Sequence, residues 1–139
     1  MQESAEVLVV DDVIAIVEEL VTLLDLHGIG AHAATNLADG LSTLLSHPAI
    51  TVIACDVRLA QESGLEIVSR IRDHPELRRR PFRFLFMSGD PMQFQHFPPT
   101  SAYRVLTKPI HPGRLMTAIG EMLDGDAAHG LRSGMASGV

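Results

Sequence analysis

The stretch Thr51-Val52-Ile53-Ala54-Cys55-Asp56 decides the fold. Five uncharged, mostly apolar residues with β-branched members run straight into a carboxylate. His47-Pro48 precedes the run and polar residues follow it. An apolar run this short reads as a strand buried on both faces, as in a parallel sheet. Asp56 then ends that strand at its carboxyl edge, the edge at which open α/β sheets bind ligands. A carboxylate buried there needs a partner cation or several hydrogen-bond donors. The rest of the chain should supply that partner.

Toward the N-terminus, Glu6-Val7-Leu8-Val9-Val10 is a second β-branched run, and it ends in Asp11 and Asp12. Val13, Ile16, Val17, Leu20, Val21 and Leu24 follow at helical spacing, which predicts a helix to about His27-Gly28. Residues 29–33 form a weaker strand candidate. Asn36, with Asp39 three residues on, is placed to cap a second helix through about Ser46. Beyond Asp56, Ser63-Gly64-Leu65-Glu66 has the spacing of a capping box, and Leu65, Val68 and Ile71 continue a helical stripe until His74-Pro75. Arg83-Phe84-Leu85-Phe86-Met87 predicts a fourth strand ending in Ser88-Gly89-Asp90. Residues 91–100 carry three prolines, so only a short or irregular helix is expected there. Phe94 and Phe97 in it read equally as a contact surface or as loop anchors. Tyr103-Arg104-Val105-Leu106-Thr107 is the last strand and delivers Lys108-Pro109. Pro112, Leu115, Met116, Ile119 and Leu123 then give a final helix.

Five strands alternating with about five helices predict an α/β fold: a doubly wound, five-stranded parallel sheet with right-handed crossovers. Parallel strands share a direction, so Asp11, Asp12, Asp56, Ser88 and Lys108 must converge on one edge. One domain over residues 1–124 accounts for this pattern, and residues 125–139 read as a flexible tail. A stand-alone domain is the simplest reading of the chain.

Bulk properties narrow the function. The 139 residues are 46% hydrophobic, enough to fill one core. The net charge is −6, and Arg78-Arg79-Arg80 is too short a basic run to suggest a nucleic-acid surface, so it reads as a solvated loop. One cysteine excludes an internal disulfide, and Cys55 reads as a core residue. No signal peptide and no apolar segment of membrane-spanning length is evident, which leads to the expectation of a cytoplasmic protein without membrane contact. His27, His47 and His74 each precede a Gly or Pro and read as cap or loop residues.

Three carboxylates at one edge repel one another unless a cation sits among them, and hard oxygen ligands suit Mg²⁺ or Mn²⁺. The Lys108 ammonium and the Ser88 hydroxyl are donors suited to an anion such as a phosphoryl group. Together they fit aspartyl phosphate chemistry. Taken singly, the acids read better as helix N-caps at strand-to-helix turns; taken with Lys108 and Ser88 they read as a phosphoacceptor set.

From about Val7 to Leu123 the chain resembles the receiver domains of two-component response regulators, which have a (βα)5 flavodoxin-like fold. The resemblance rests on Leu8-Val9-Val10-Asp11-Asp12, on Asp56 with Gly64 eight residues later, on Ser88, and on Lys108-Pro109. The gaps are 44 from Asp12 to Asp56, 32 to Ser88 and 20 more to Lys108. It implies that Asp56 accepts a phosphoryl group from a histidine kinase or phosphotransfer protein. It also implies Mg²⁺ held by Asp11, Asp12, Asp56 and the Arg58 backbone carbonyl, Ser88 and Lys108 on the phosphoryl oxygens, and a cis Lys108-Pro109 bond. A monomer or weak homodimer is expected. Arg58 and Asp90 would flank the phosphoryl group.

This sequence departs from the family pattern at Val13, where a Glu is frequent, and at Ala60, where a proline is. Val105 stands where an aromatic switch residue is usual, leaving Tyr103 as a distant substitute. Two rivals remain. A haloacid-dehalogenase-type phosphohydrolase would need an Asp-x-Asp pattern after the first strand, which Asp11-Asp12-Val13 lacks. A receiver-like interaction module without phosphate turnover is the other.

Overall fold

The structure, a computed structural model, describes residues 4–90 and 103–124. The segment 91–100 and the tail 125–139, on which the sequence predicts an irregular helix and a loose end, lie outside them. In chain order the elements are β1 (Glu6–Val10), α1 (Ile14–Leu26), β2 (Ala31–Ala34), α2 (Leu37–Ser46), β3 (Ile50–Asp56) and α3 (Glu66–Arg72). A 3-10 turn follows at Leu77–Arg79, then β4 (Arg83–Ser88), β5 (Tyr103–Thr107) and α4 (Pro112–Leu123). Four α-helices are thus seen among the described residues where about five are expected.

All strand pairs are parallel, in the order β2-β1-β3-β4-β5. Strand β3 is central and six of its seven residues are buried, as its unbroken apolar run requires. Side chains alternate across the sheet. Leu8, Val10, Ile53, Cys55, Phe84 and Phe86 pack under α2 and α3, with Leu37, Leu44, Ile67 and Ile71. Val7, Val9, Val52, Ala54, Leu85 and Met87 pack on the other face, under α1 and α4, with Val17, Leu24, Leu115 and Ile119. Winding reverses between β1 and β3, and this opens a crevice at their carboxyl ends.

Local signals act largely as expected. Gly28, with φ of 77°, ends α1 in the left-handed region, where glycine carries no Cβ penalty. Asn36 caps α2, its Oδ1 accepting from the Asp39 N–H at 2.8 Å. His27 and His47 occupy the C-caps of α1 and α2, and the His74 Nδ1 accepts from the Glu76 and Leu77 amides.

Three expectations need correction. Strand β2 begins two residues later than the sequence suggests, at Ala31. The capping box does not form: α3 starts at Glu66, the Ser63 Oγ accepts from the Leu65 N–H at 3.2 Å, and the Glu66 carboxylate turns outward to Arg70. A tight first turn is the reason, with Ile67 and Val68 bonding three residues back to Gly64 and Leu65. Finally, Arg80 does not belong to a solvated loop. Its guanidinium donates to the carbonyls of Leu44, His47 and Ile50 at 2.6, 3.1 and 3.0 Å and lies 4.6 Å above the Phe82 ring.

Candidate functional site

Four strands deliver the polar residues to one edge. Asp11 follows β1 directly, its amide bonded to the Ala34 carbonyl at 3.1 Å, and its Oδ1 accepts from the Val13 N–H at 2.9 Å. Asp56 ends β3 and is 5% exposed. Ser88 ends β4, and its carbonyl accepts from the Lys108 N–H at 2.7 Å, which ties the start of the Lys108-Pro109 turn to the neighbouring strand. That Lys-Pro peptide bond is cis.

Asp11, Asp12 and Asp56 each offer a carboxylate oxygen, and these oxygens lie within 4.8 Å of one another. The Lys108 Nζ donates to the Asp56 Oδ1 at 2.9 Å. The ion pair is asymmetric, since the Asp56 side chain is 8% exposed and that of Lys108 is 43% exposed. Burial pushes the Asp11 carboxyl above its ordinary value of 3.8; the Val13 N–H and Lys108 oppose this, and the charges of Asp56 and Asp12 add to it. Burial, then the charges of Asp56, Asp11 and Glu62, also raise the Cys55 thiol, which therefore stays protonated in the core. An all-oxygen set with surplus negative charge fits a hard divalent cation of the Mg²⁺ class.

Beside the carboxylates lies a cleft of about 310 Å³ lined by Asp56, Val57, Arg58, Ser88, Gly89, Asp90 and Lys108. The Ser88 Oγ is engaged with the Asp90 backbone, donating to its carbonyl and accepting from its N–H, both at 3.0 Å. Arg58 and Asp90 line the same cleft. The Arg58 N–H approaches the Asp56 Oδ1 at 3.4 Å, a weak contact. Val105 is half-buried opposite Phe86, and Tyr103 packs tilted on Phe86 with centroids 6.4 Å apart.

Sequence reasoning marks Gly64 without giving its physical reason, and it misses Glu62 altogether. Gly64 is required by space: a Cβ there would overlap the Asp56 carbonyl oxygen and come within 2.8 Å of the Cys55 Sγ. Glu62, which no motif marks, bonds to the first residue of α2 and to α3.

Known proteins resemble this chain in sequence and in fold. The model of the response regulator receiver domain matches residues 7–120. No curated protein matches the chain. Among solved structures, chemotaxis protein CheY4 of Vibrio cholerae is similar at 24% identity and a TM-score of 0.74, over 86% of this chain and 98% of that one. A CheY-like receiver domain protein of Methanospirillum hungatei reaches a TM-score of 0.76 at 21% identity, over 91% and 98%. The receiver domain of an HD domain-containing protein of Pseudomonas fluorescens reaches 0.73 at 23%, over 95% and 96%. At these identities the neighbours speak to the fold alone, whereas the family model covers most of the chain. The chain belongs to the response regulator receiver domain family, the receivers of two-component signalling.

Proposed function

We propose that this domain is a working phosphoacceptor: Asp56 takes a phosphoryl group from the phosphohistidine of a histidine kinase or phosphotransfer protein. The observation that carries the reading is the Lys108 ammonium 2.9 Å from the carboxylate of Asp56, within a cluster of three acids. An Asp56 oxygen attacks phosphorus, the P–N bond breaks with its electron pair left on the imidazole nitrogen, and an acyl phosphate remains on Asp56. Asp11, Asp12, Asp56 and the Arg58 carbonyl would hold Mg²⁺, which would supply positive charge for the phosphoryl oxygens. Lys108 exchanges its carboxylate partner for one phosphoryl oxygen, and the Ser88 hydroxyl leaves the Asp90 backbone for another. Arg58 and Asp90 flank the group in the cleft and modulate its lifetime.

A protein donor fits the rim of the site. Val13, Ile14 and Ile16 are 48%, 60% and 41% exposed at the start of α1. An apolar groove including Ile16, Leu20, Pro109 and Ile110 runs up to Asp11 and Lys108. No helix among the described residues is long and apolar enough to cross a membrane, and a cytoplasmic site of action agrees with histidine kinase partners.

Incubation with acetyl phosphate and Mg²⁺ tests the reading. One phosphoryl mass is expected on the wild-type chain and none on Asp56→Asn. Labelling of that variant to the wild-type extent would move the acceptor elsewhere. A wild-type chain that takes no phosphoryl group would instead be an interaction module.

A further inference from the structure

The loop 57–65, between β3 and α3, carries the Arg58 carbonyl and is held at three levels. At its base the Val57 N–H donates to the Met87 carbonyl at 3.0 Å, and the Gly64 N–H to the Val57 carbonyl at 2.7 Å. Midway, Arg58 and Ser63 form an isolated antiparallel bridge. At the tip the Leu59 N–H donates to the Glu62 carbonyl at 3.2 Å. These bonds close the loop on itself and on the sheet, but none ties its tip to a helix.

Glu62 supplies that tie. Its Oε2 accepts from the Leu37 N–H at 2.9 Å, and its Oε1 from the Arg70 guanidinium at 3.3 Å. Leu37 opens α2 and is fully buried, and the Asn36 side chain is already committed to the Asp39 N–H. The first amide of α2 is therefore left to a carboxylate 25 residues away in sequence. A carboxylate also suits the positive end of the helix. Its side chain is 20% exposed, so the bonds are partly shielded from water.

We propose that Glu62 is a positioning residue for the cation: braced between α2 and α3, it fixes the loop that holds the Arg58 carbonyl beside the three carboxylates. The inference rests on the proposed function in taking that carbonyl as a ligand. Calorimetric titration of Mg²⁺ into the whole chain tests it, with exchange of the Leu37 amide followed by NMR.

Glu62→Ala is expected to weaken Mg²⁺ binding about tenfold, the loss typical when a partner that orients a ligand is removed. Glu62→Gln keeps an acceptor for the Leu37 N–H and should restore most of the affinity. The Leu37 amide should exchange faster in the alanine variant alone. A lower Tm with wild-type affinity would mean a purely structural role and overturn the inference, as would equal losses in the alanine and glutamine variants. If the alanine variant fails to fold, Arg70→Ala, at a half-exposed position, decides: weaker binding supports the brace and unchanged binding overturns it. A wild-type chain that binds no Mg²⁺ would sink the metal assignment and the brace together. Normal wild-type binding with a silent Glu62 would sink the brace alone.

Discussion

Asp11 shows what the site costs the protein before any ligand arrives. Its carboxyl is raised above 3.8 chiefly by burial, so the folded chain holds that proton more tightly than the unfolded chain does. The associated stabilisation is complete below the unfolded pKa and is lost as pH rises through the folded one. At neutral pH the ionised group is a net cost. In chelator at pH 7, Asp11→Asn is therefore expected to melt a few degrees above wild type, with the gap closing as the pH is lowered toward 4. Melting curves across that range check the sign, and a variant less stable than wild type at pH 7 would contradict it. Gly64 makes the complementary case. Gly64→Ala must push the Asp56 carbonyl aside, and overpacking of this kind costs about 1–3 kcal/mol. Because the displaced backbone belongs to the proposed phosphoacceptor, slower labelling by acetyl phosphate should accompany the loss in denaturant unfolding.

At the scale of elements, the ends of helices carry unequal weight. The N-cap of α2 is one side-chain bond from Asn36, and Asn36→Ala should cost about 1 kcal/mol. The junction of α2 with β3 depends on Arg80, a cation reaching back 30 to 36 residues to three carbonyls. Burial lowers the affinity of its guanidinium for its proton without removing the charge. Arg80→Ala leaves those carbonyls without their donor and should cost about 2–3 kcal/mol by chemical denaturation. Lys in its place should recover little, since one ammonium cannot reproduce a planar fork over Phe82. These two caps also mark the limit of what sequence reading reaches. Asn36 and Asp39 are three residues apart, so their pairing is visible in the chain. Arg80 and Glu62 act across 25 to 36 residues, where no periodicity connects donor to acceptor. The capping box misled for a related reason: the requirement for Gly64 against Asp56 dictates a tight entry into α3, and that close approach outweighs the local pattern.

Across the whole molecule, the same distinction explains why the fold and the convergent edge were legible. Unbroken apolar runs and polar strand ends are properties of short stretches, and parallel direction then does the gathering of Asp11, Asp56, Ser88 and Lys108. The geometry within the edge, such as the engagement of Ser88 with the Asp90 backbone, depends on rotamers that no spacing encodes. The order β2-β1-β3-β4-β5 also sets a gradient of stability. Strands β1, β3 and β4 are bonded on both sides and almost wholly buried, while β2 and β5 are half-covered edges. Native-state amide exchange should show the slowest protons in β3 and its two neighbours, with β2 and β5 opening at lower free energy; uniform protection over all five strands would refute this.

The tilted contact of Tyr103 with Phe86 has an optical consequence. The chain contains one tyrosine and no tryptophan, so all of its intrinsic near-ultraviolet emission of that kind comes from a single ring on an outer strand. That emission is a native beacon for the seam between β4 and β5. Circular dichroism averages over the helices and the remaining sheet. A denaturation followed by both signals therefore compares one border of the molecule with its bulk, without any label, and an earlier fluorescence midpoint would time the departure of β5 from an otherwise intact sheet.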